Sequence, residues 1–192
     1  MTLTLYGGAR SRAAIVRWYL EEKGIAYGWH PVDMAAGEHR QQAFLELNPF
    51  GKVPMLVDDG ADGAAGDRLT LFESGAILLH LAEHYAQEFT TPVRRALAQQ
   101  WVLFANSTLS TALFVPSSRE KEFPRLLTVL DGLLEPGTPL VGDAWGVSDC
   151  AVEAHLAYLP VFFPEIDLSP YPQVAARIDA TRGREAYLKA MA

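Results

Sequence analysis

Residues 48–85 hold the pattern that most restricts how this chain can fold. A turn, Asn48-Pro49-Phe50-Gly51, leads through Lys52-Val53-Pro54 into a short apolar run, Met55-Leu56-Val57. A loop rich in Gly, Ala and Asp follows, and then a second run, Leu69-Thr70-Leu71-Phe72. That run breaks directly into a helical pattern at Glu73-Ser74-Gly75, with Ile77, Leu78, Leu81 and Tyr85 on one face. Proline has no N–H to give to a ladder, so the first strand must begin after Pro54. A strand that stops within one residue of a helix must turn the chain sharply, and Ser74 has the side chain of a helix N-cap. The stretch therefore predicts a strand at 55–58, a hairpin tip at 59–67, a strand at 69–72 and a helix at 74–86.

The residues before it supply what such a hairpin needs to become a sheet. Residues 2–6 alternate and read as a strand ended by Gly7-Gly8. Residues 11–23 carry Ile15, Val16, Tyr19 and Leu20 at helical spacing, with Gly24 as the stop. Residues 27–32 read as a second strand that His30-Pro31 confines to an edge. Residues 37–47 read as one short helix. The order is β-α-β-α-β-β-α.

After a boundary at 87–91 the pattern changes. Thr91-Pro92 is a strong helix start, with threonine as cap and proline in the first turn. Only helical patterns follow, near 92–115, 123–134, 148–159, 173–181 and 185–191, with Pro116 and Pro160 as stops. The fold class is thus α+β, an α/β domain at 1–86 followed by an all-α domain at 92–192.

The totals exclude several functions. A chain of 192 residues with a net charge of −7 and no block of like charges lacks the basic face needed to hold nucleic acid or an anionic membrane. Its one cysteine, Cys150, rules out an internal disulfide and a multi-cysteine metal site, and suits a reducing compartment. The start, Met1-Thr2-Leu3-Thr4-Leu5, lacks the basic region and apolar run of a signal peptide. No stretch reaches the roughly 18 apolar residues of a membrane span. A cytoplasmic location is expected. His80 and His84 lie four apart on a helix, a metal-ligand spacing, but no third ligand accompanies them. No metal is expected.

A β-α-β-α-β-β-α unit whose third strand follows Val-Pro is the thioredoxin-like arrangement. Joined to a helical domain, it resembles the cytosolic glutathione transferase superfamily. Asn48-Pro49-Phe50-Gly51-Lys52-Val53-Pro54-Met55-Leu56 matches that family's N-P-x-G-x-V-P-x-L segment, and Leu71-Phe72-Glu73-Ser74-Gly75-Ala76-Ile77 its L-x-E-S-x-A-I segment. Trp145-Gly146-Val147-Ser148-Asp149 looks like the capping motif of the second domain, with Gly146 where a Ser or Thr usually stands. The resemblance covers essentially the whole chain.

What the resemblance implies is specific. The Val53-Pro54 bond is cis, and the Val53 backbone pairs with the cysteinyl part of glutathione as a strand would. Ser74 holds the γ-glutamyl carboxylate at a helix N-terminus and Glu73 accepts from the ammonium. Lys52 holds the glycyl carboxylate, with Arg12 as a second candidate and His39 and Arg40 nearby. The thiol is activated from the loop Gly7-Gly8-Ala9-Arg10-Ser11-Arg12-Ala13. Ser11 stands in the place of the serine-type donor and Tyr6 in that of the tyrosine-type donor. Arg10 and Arg12 around a serine resemble the chi class. Which of Ser11, Tyr6 and Arg10 activates the thiol stays open. The implied activity is conjugation of glutathione, as co-substrate, to a small electrophile held in an apolar pocket, with a homodimer as the assembly. A glutathione-dependent isomerase or peroxidase, or a non-catalytic glutathione-binding protein, would keep the same site.

Overall fold

The computed structural model describes residues 2–8, 11–60 and 68–191. The chain divides into two compact units. One runs up to Gln87 and takes in the C-terminal turn from Lys189, and the other is Glu88–Leu188.

The first unit is built on four strands, β1 (Thr2–Gly7), β2 (Gly28–Pro31), β3 (Met55–Asp59) and β4 (Arg68–Phe72), in the spatial order β2-β1-β3-β4. β1 pairs parallel with β2 and antiparallel with β3, and β3 pairs antiparallel with β4. The helices are α1 (Ala13–Lys23), α2 (Gln42–Leu47) and α3 (Ser74–His84). The β-α-β-α-β-β-α order read from the pattern is the observed one.

Alternation along β1 explains the layering. Leu3 and Leu5 are buried on one side, and Thr4 and Tyr6 point to the other. α1 and α3 pack against each other and on the sheet through Ile15, Trp18, Leu20, Ile77, Leu78 and Leu81, all fully buried. Across the sheet, Val32, Phe44, Met55 and Val57 form a second cluster against which Tyr6, Leu47 and Val53 pack. β3 is therefore buried on both faces, and only its last residue, Asp59, is exposed. β2 is exposed throughout and ends on Pro31, as an edge strand can.

Two local expectations change here. Residues 37–47 do not form one helix. Glu38–Arg40 is a 3₁₀ turn, and α2 starts only after Gln41, whose ψ of 150° is extended. Ser74 is not the N-cap of α3. Glu73 takes the cap position and Ser74 is the first helical residue, buried. The expected hairpin tip at 59–67 lies mostly outside the described residues.

Among its described residues the second unit is helical. It comprises α4 (Pro92–Leu103), a π-helical segment (Phe104–Leu109), α5 (Ser110–Phe114), α6 (Pro116–Lys121), α7 (Phe123–Leu133), α8 (Val147–Leu156), α9 (Leu159–Phe162), α10 (Pro172–Arg182) and α11 (Glu185–Met191), whose last turn belongs to the first unit. Thr91 caps α4 as expected, accepting from the Arg94 N–H at 3.1 Å with Pro92 in the first turn. α8 is buried along its whole length and packs on α4 and α10.

The helix expected over 92–115 is interrupted. Asn106 Nδ2 and Ser107 Oγ donate to the carbonyls of Val102 and Leu103, at 3.0 and 2.7 Å, and the ladder widens at that point to the i+5 pattern. Pro116 and Pro160 do more than stop helices. Each opens a short new one, α6 and α9, because proline fits the first turn. Among the described residues no helix is long and apolar enough to cross a membrane.

Candidate functional site

Register brings the singled-out residues together. Met55, the first residue of β3, lies opposite Tyr6 near the end of β1 and opposite Phe72 at the end of β4. One step beyond that row stand Val53-Pro54, Glu73-Ser74 and Gly7-Gly8. Three segments far apart in sequence thus meet at one end of the sheet.

The Val53-Pro54 bond is cis. Pro54 is buried and Val53 half-buried, and the β3 ladder begins only at Met55, so the Val53 main chain lies outside it. The turn before it is braced by Asn48, which is buried. Its Nδ2 donates to the Lys52 carbonyl at 2.7 Å, and its Oδ1 accepts from the Phe50 N–H at 3.1 Å. Gly51 has φ +58°, and a Cβ there would lie 2.8 Å from the His39 carbonyl oxygen. Only glycine fits that turn without strain, and the contact sets His39 beside Lys52. The Lys52 side chain is exposed. His39 Nδ1 is buried and makes no hydrogen bond among the described residues. Asn48 was legible only as a turn residue, and its role as a brace across four positions had no separate signal.

Glu73 is exposed with φ +72° and ψ 116°, a backbone conformation that non-glycine residues avoid. Its carbonyl accepts from the Ile77 N–H and so opens α3. No residue pattern announces this strain, because glutamate is not a residue that favours positive φ.

The third segment is the β1–α1 connection. Ser11 is half-buried. Its Oγ donates to the Gly8 carbonyl at 2.8 Å and accepts from the Ala13 N–H at 3.2 Å. Arg12, not Ser11, occupies the cap position of α1, in a helical conformation. Ser11 still does the work of a cap, one residue early. Arg10 lies outside the described residues. Tyr6 packs with its ring centroid 4.6 Å from that of His30 and 6.4 Å from that of Phe44.

The far end of β3 carries a different cluster. Asp58, fully buried, accepts from the Tyr85 hydroxyl at 2.7 Å and faces His80 Nε2 at 2.8 Å, with His84 stacked on His80. Burial, and then the Asp58 carboxylate beside it, push the Tyr85 phenol well above its usual range. His80 is thus built into a hydrogen-bonded network, and the His84 ring packs on it. Among the described residues no group of three or more His, Cys, Asp or Glu side chains is arranged to hold a metal ion.

In the second unit the capping motif is altered. Asp149 Oδ2 accepts from the Gly146 N–H at 3.0 Å. Gly146 has no side chain to complete the box. Glu88 fills the space instead, with Oε2 accepting from the Val147 N–H at 2.9 Å. A Cβ on Gly146 would lie 2.6 Å from that oxygen.

The sequence model described as "Glutathione S-transferase, N-terminal domain" matches residues 1–83. Over 171 residues the chain is 33% identical to the glutathione S-transferase GstB of Escherichia coli (strain K12), covering 78% of this chain and 79% of GstB. The chain belongs to the glutathione S-transferase family. A second relative, the disulfide-bond oxidoreductase YfcG of the same strain, is 31% identical over 205 residues, or 96% of this chain and 92% of YfcG. Among solved structures, a glutathione transferase from Burkholderia graminis with two glutathione molecules bound per subunit superposes with a TM-score of 0.83 at 28% identity. That match covers 99% of this chain and 87% of the other. In this member of the glutathione S-transferase family the β1–α1 connection carries Ser11 and no cysteine, and Glu88 serves the start of α8 beside Gly146.

Proposed function

We propose that the protein is a glutathione transferase, joining the glutathione thiolate to small apolar electrophiles. The observation that carries this reading is the strained backbone of exposed Glu73 at the sheet end shared with Val53 and the β1–α1 connection. Such strain costs about 1–3 kcal/mol and gathers at ligand clamps. In this reading Glu73 accepts from the γ-glutamyl ammonium and Ser74 holds the adjoining carboxylate at the start of α3. The Val53 main chain pairs with the cysteinyl unit. Lys52, with His39 or Arg12, takes the glycyl carboxylate. Residues 1–86 form the glutathione-binding part, and 92–192 supply the electrophile pocket of a homodimer.

Activation is a question of thiolate stability. Lowering a thiol from about 8.5 by two units requires roughly 2.7 kcal/mol. The start of α1 contributes up to about 2 kcal/mol through its dipole. It does so as a field, because Ser11 already satisfies the amides of Ala13 and Ala14. The remainder falls to a hydroxyl. Ser11 must turn its proton from the Gly8 carbonyl to sulfur, exchanging a neutral bond of about 0.5–1.5 kcal/mol for a charged one of about 1.5–3 kcal/mol, so the exchange is favourable. Tyr6 is packed against an aromatic and an imidazole ring and is the weaker candidate.

The test is thiolate absorbance of bound glutathione across pH, followed by conjugation kinetics of Ser11→Ala, Tyr6→Phe and Arg10→Ala. Ser11→Ala is expected to lower kcat roughly ten- to a hundredfold. Bound glutathione that titrates like free glutathione would overturn the reading.

The likeness to YfcG supports a second reading, glutathione-dependent disulfide exchange. One glutathione thiolate would attack a disulfide and expel a thiolate. A second glutathione would then release the remaining thiol and leave as glutathione disulfide. Cys150 is buried in α8 and supplies no protein thiol for this. Reduction of a small disulfide without formation of a conjugate would select it. Isomerase, peroxidase and non-catalytic readings are separated by product analysis and by retention on immobilised glutathione.

A further inference from the structure

Gly7 is where three elements touch. It ends β1, it precedes the connection to α1, and its carbonyl accepts from the Val32 N–H at 2.8 Å just beyond β2. A Cβ on Gly7 would overlap both the Ala13 Cβ at the first turn of α1 and the six-membered ring of Trp29. The next residue is seated in the same way. A Cβ on Gly8 would lie 2.6 Å from Met34 Cγ. Two side chains from β2 and the segment after it therefore rest directly on the main chain of Gly7-Gly8. The Gly8 carbonyl is the acceptor that holds the Ser11 hydroxyl.

Trp29 is itself held. Arg17, one helical turn after Ala13 on α1, stands over its ring, with the guanidinium carbon 5.3 Å from the ring centroid. Arg17 Nε donates to the Tyr27 hydroxyl at 3.3 Å, and that hydroxyl donates to Glu21 at 2.7 Å. Yet Trp29 is 37% exposed on an edge strand, so burial alone gives little reason for so large a ring there.

We propose that Trp29, steadied by Arg17, is a positioning residue for thiol activation. It seats the Gly7-Gly8 step and so sets where the Ser11 hydroxyl stands. The inference rests on the reading of this protein as a glutathione-activating enzyme. Trp29 touches no reacting atom in this scheme. It acts through the main chain that Ser11 is bonded to. A misplacement of about 1 Å is enough to lower a rate roughly a hundredfold.

The test uses the full chain and glutathione itself. Thiolate absorbance of bound glutathione is titrated for the unsubstituted protein, Trp29→Ala and Trp29→Phe, with kcat and KM for one conjugation reaction. The expected result is a bound thiol that moves back toward the free value near 8.5 in Trp29→Ala. Its kcat falls roughly tenfold or more while KM for glutathione changes little. The phenyl ring of Trp29→Phe recovers part of both. If Trp29→Ala does not fold, Arg17→Met is read in the same way and is expected to shift the bound thiol in the same direction. A purely structural role would lower the melting temperature and leave the thiol titration in place, and that outcome overturns the inference. An unsubstituted protein that leaves the thiol unshifted overturns the transferase reading first, and this inference with it.

Discussion

At the scale of single residues, backbone strain marks one end of β3 and a satisfied buried charge the other. Glu73 keeps φ +72° because Phe72 is fixed by the ladder on one side and Ile77 is bonded to its carbonyl on the other. Glycine would adopt that conformation freely, at the cost of a larger unfolded-chain entropy. Glu73→Gly should therefore be more stable than Glu73→Ala by about 1 kcal/mol, and both should lose retention on immobilised glutathione. Equal denaturation midpoints for the two would remove the strain from the argument. Asp58 behaves oppositely. It lies at the far end of β3 from Val53 and is satisfied wholly by Tyr85 and His80. Tyr85→Phe leaves a buried carboxylate short of a donor, so unfolding free energy should fall by about 1–3 kcal/mol in urea titration. Glutathione retention should be unchanged, and a loss of retention would mean that the two ends of β3 are not independent.

At the scale of elements, periodicity and proline placement made the order of strands and helices legible, because each element needs one apolar face at its own spacing. The same signals failed where a side chain competes with the backbone. Nothing in the apolar spacing of 92–115 reports that Asn106 and Ser107 bond back to earlier carbonyls and open the helix. The site divides likewise. Val53-Pro54 and Glu73-Ser74 were visible as local motifs, whereas the brace at Asn48 and the seat of Trp29 on Gly7 depend on contacts between segments. The cap of α8 shows the same limit. Gly146 read as a weakened cap, but Glu88, from 58 positions earlier, serves the Val147 N–H. Glu88→Ala should cost about 1–2 kcal/mol. Gly146→Ser alone should also destabilise, since its Cβ meets the Glu88 carboxylate. Combined, they should restore much of the loss, because a serine cap then has room. A double-mutant cycle measures this, and simple additivity would show that the two sites do not share that space.

At the scale of the whole molecule, Glu21 in the first unit and Asp149 and Glu153 in the second should answer acid with opposite signs. In the first unit burial raises the Glu21 carboxyl, but hydrogen bonds from Lys189 and Tyr27 outweigh it, and the net direction is down. A lowered carboxyl contributes stability that is present above its unfolded value of 4.5 and is lost as pH falls through the folded value. Acid should thus loosen the hold of Lys189 on α1. In the second unit Asp149 and Glu153 are raised, chiefly by burial. The Leu140 and Gly146 N–H groups on Asp149, the Trp145 indole on Glu153, and then Arg177, 2.9 Å from Glu153 and 3.8 Å from Asp149, offset this only in part. For these groups the native state binds the extra protons, so stability rises as pH falls through their folded values toward 3.8 and 4.5. Hydrogen exchange followed peptide by peptide, from neutral pH down through the carboxylate range, reads the units separately. Protection in α8 and α10 should hold or grow, relative to the intrinsic rates, over the interval in which protection at the C-terminal turn and α1 declines. Glu153→Gln removes a proton-binding group from the second unit, so its stability deficit against the parent should widen as pH falls through the folded value of Glu153. A deficit that stays constant would mean that Trp145 and Arg177 together balance the burial of Glu153 completely and that the second unit carries no acid-side gain from it.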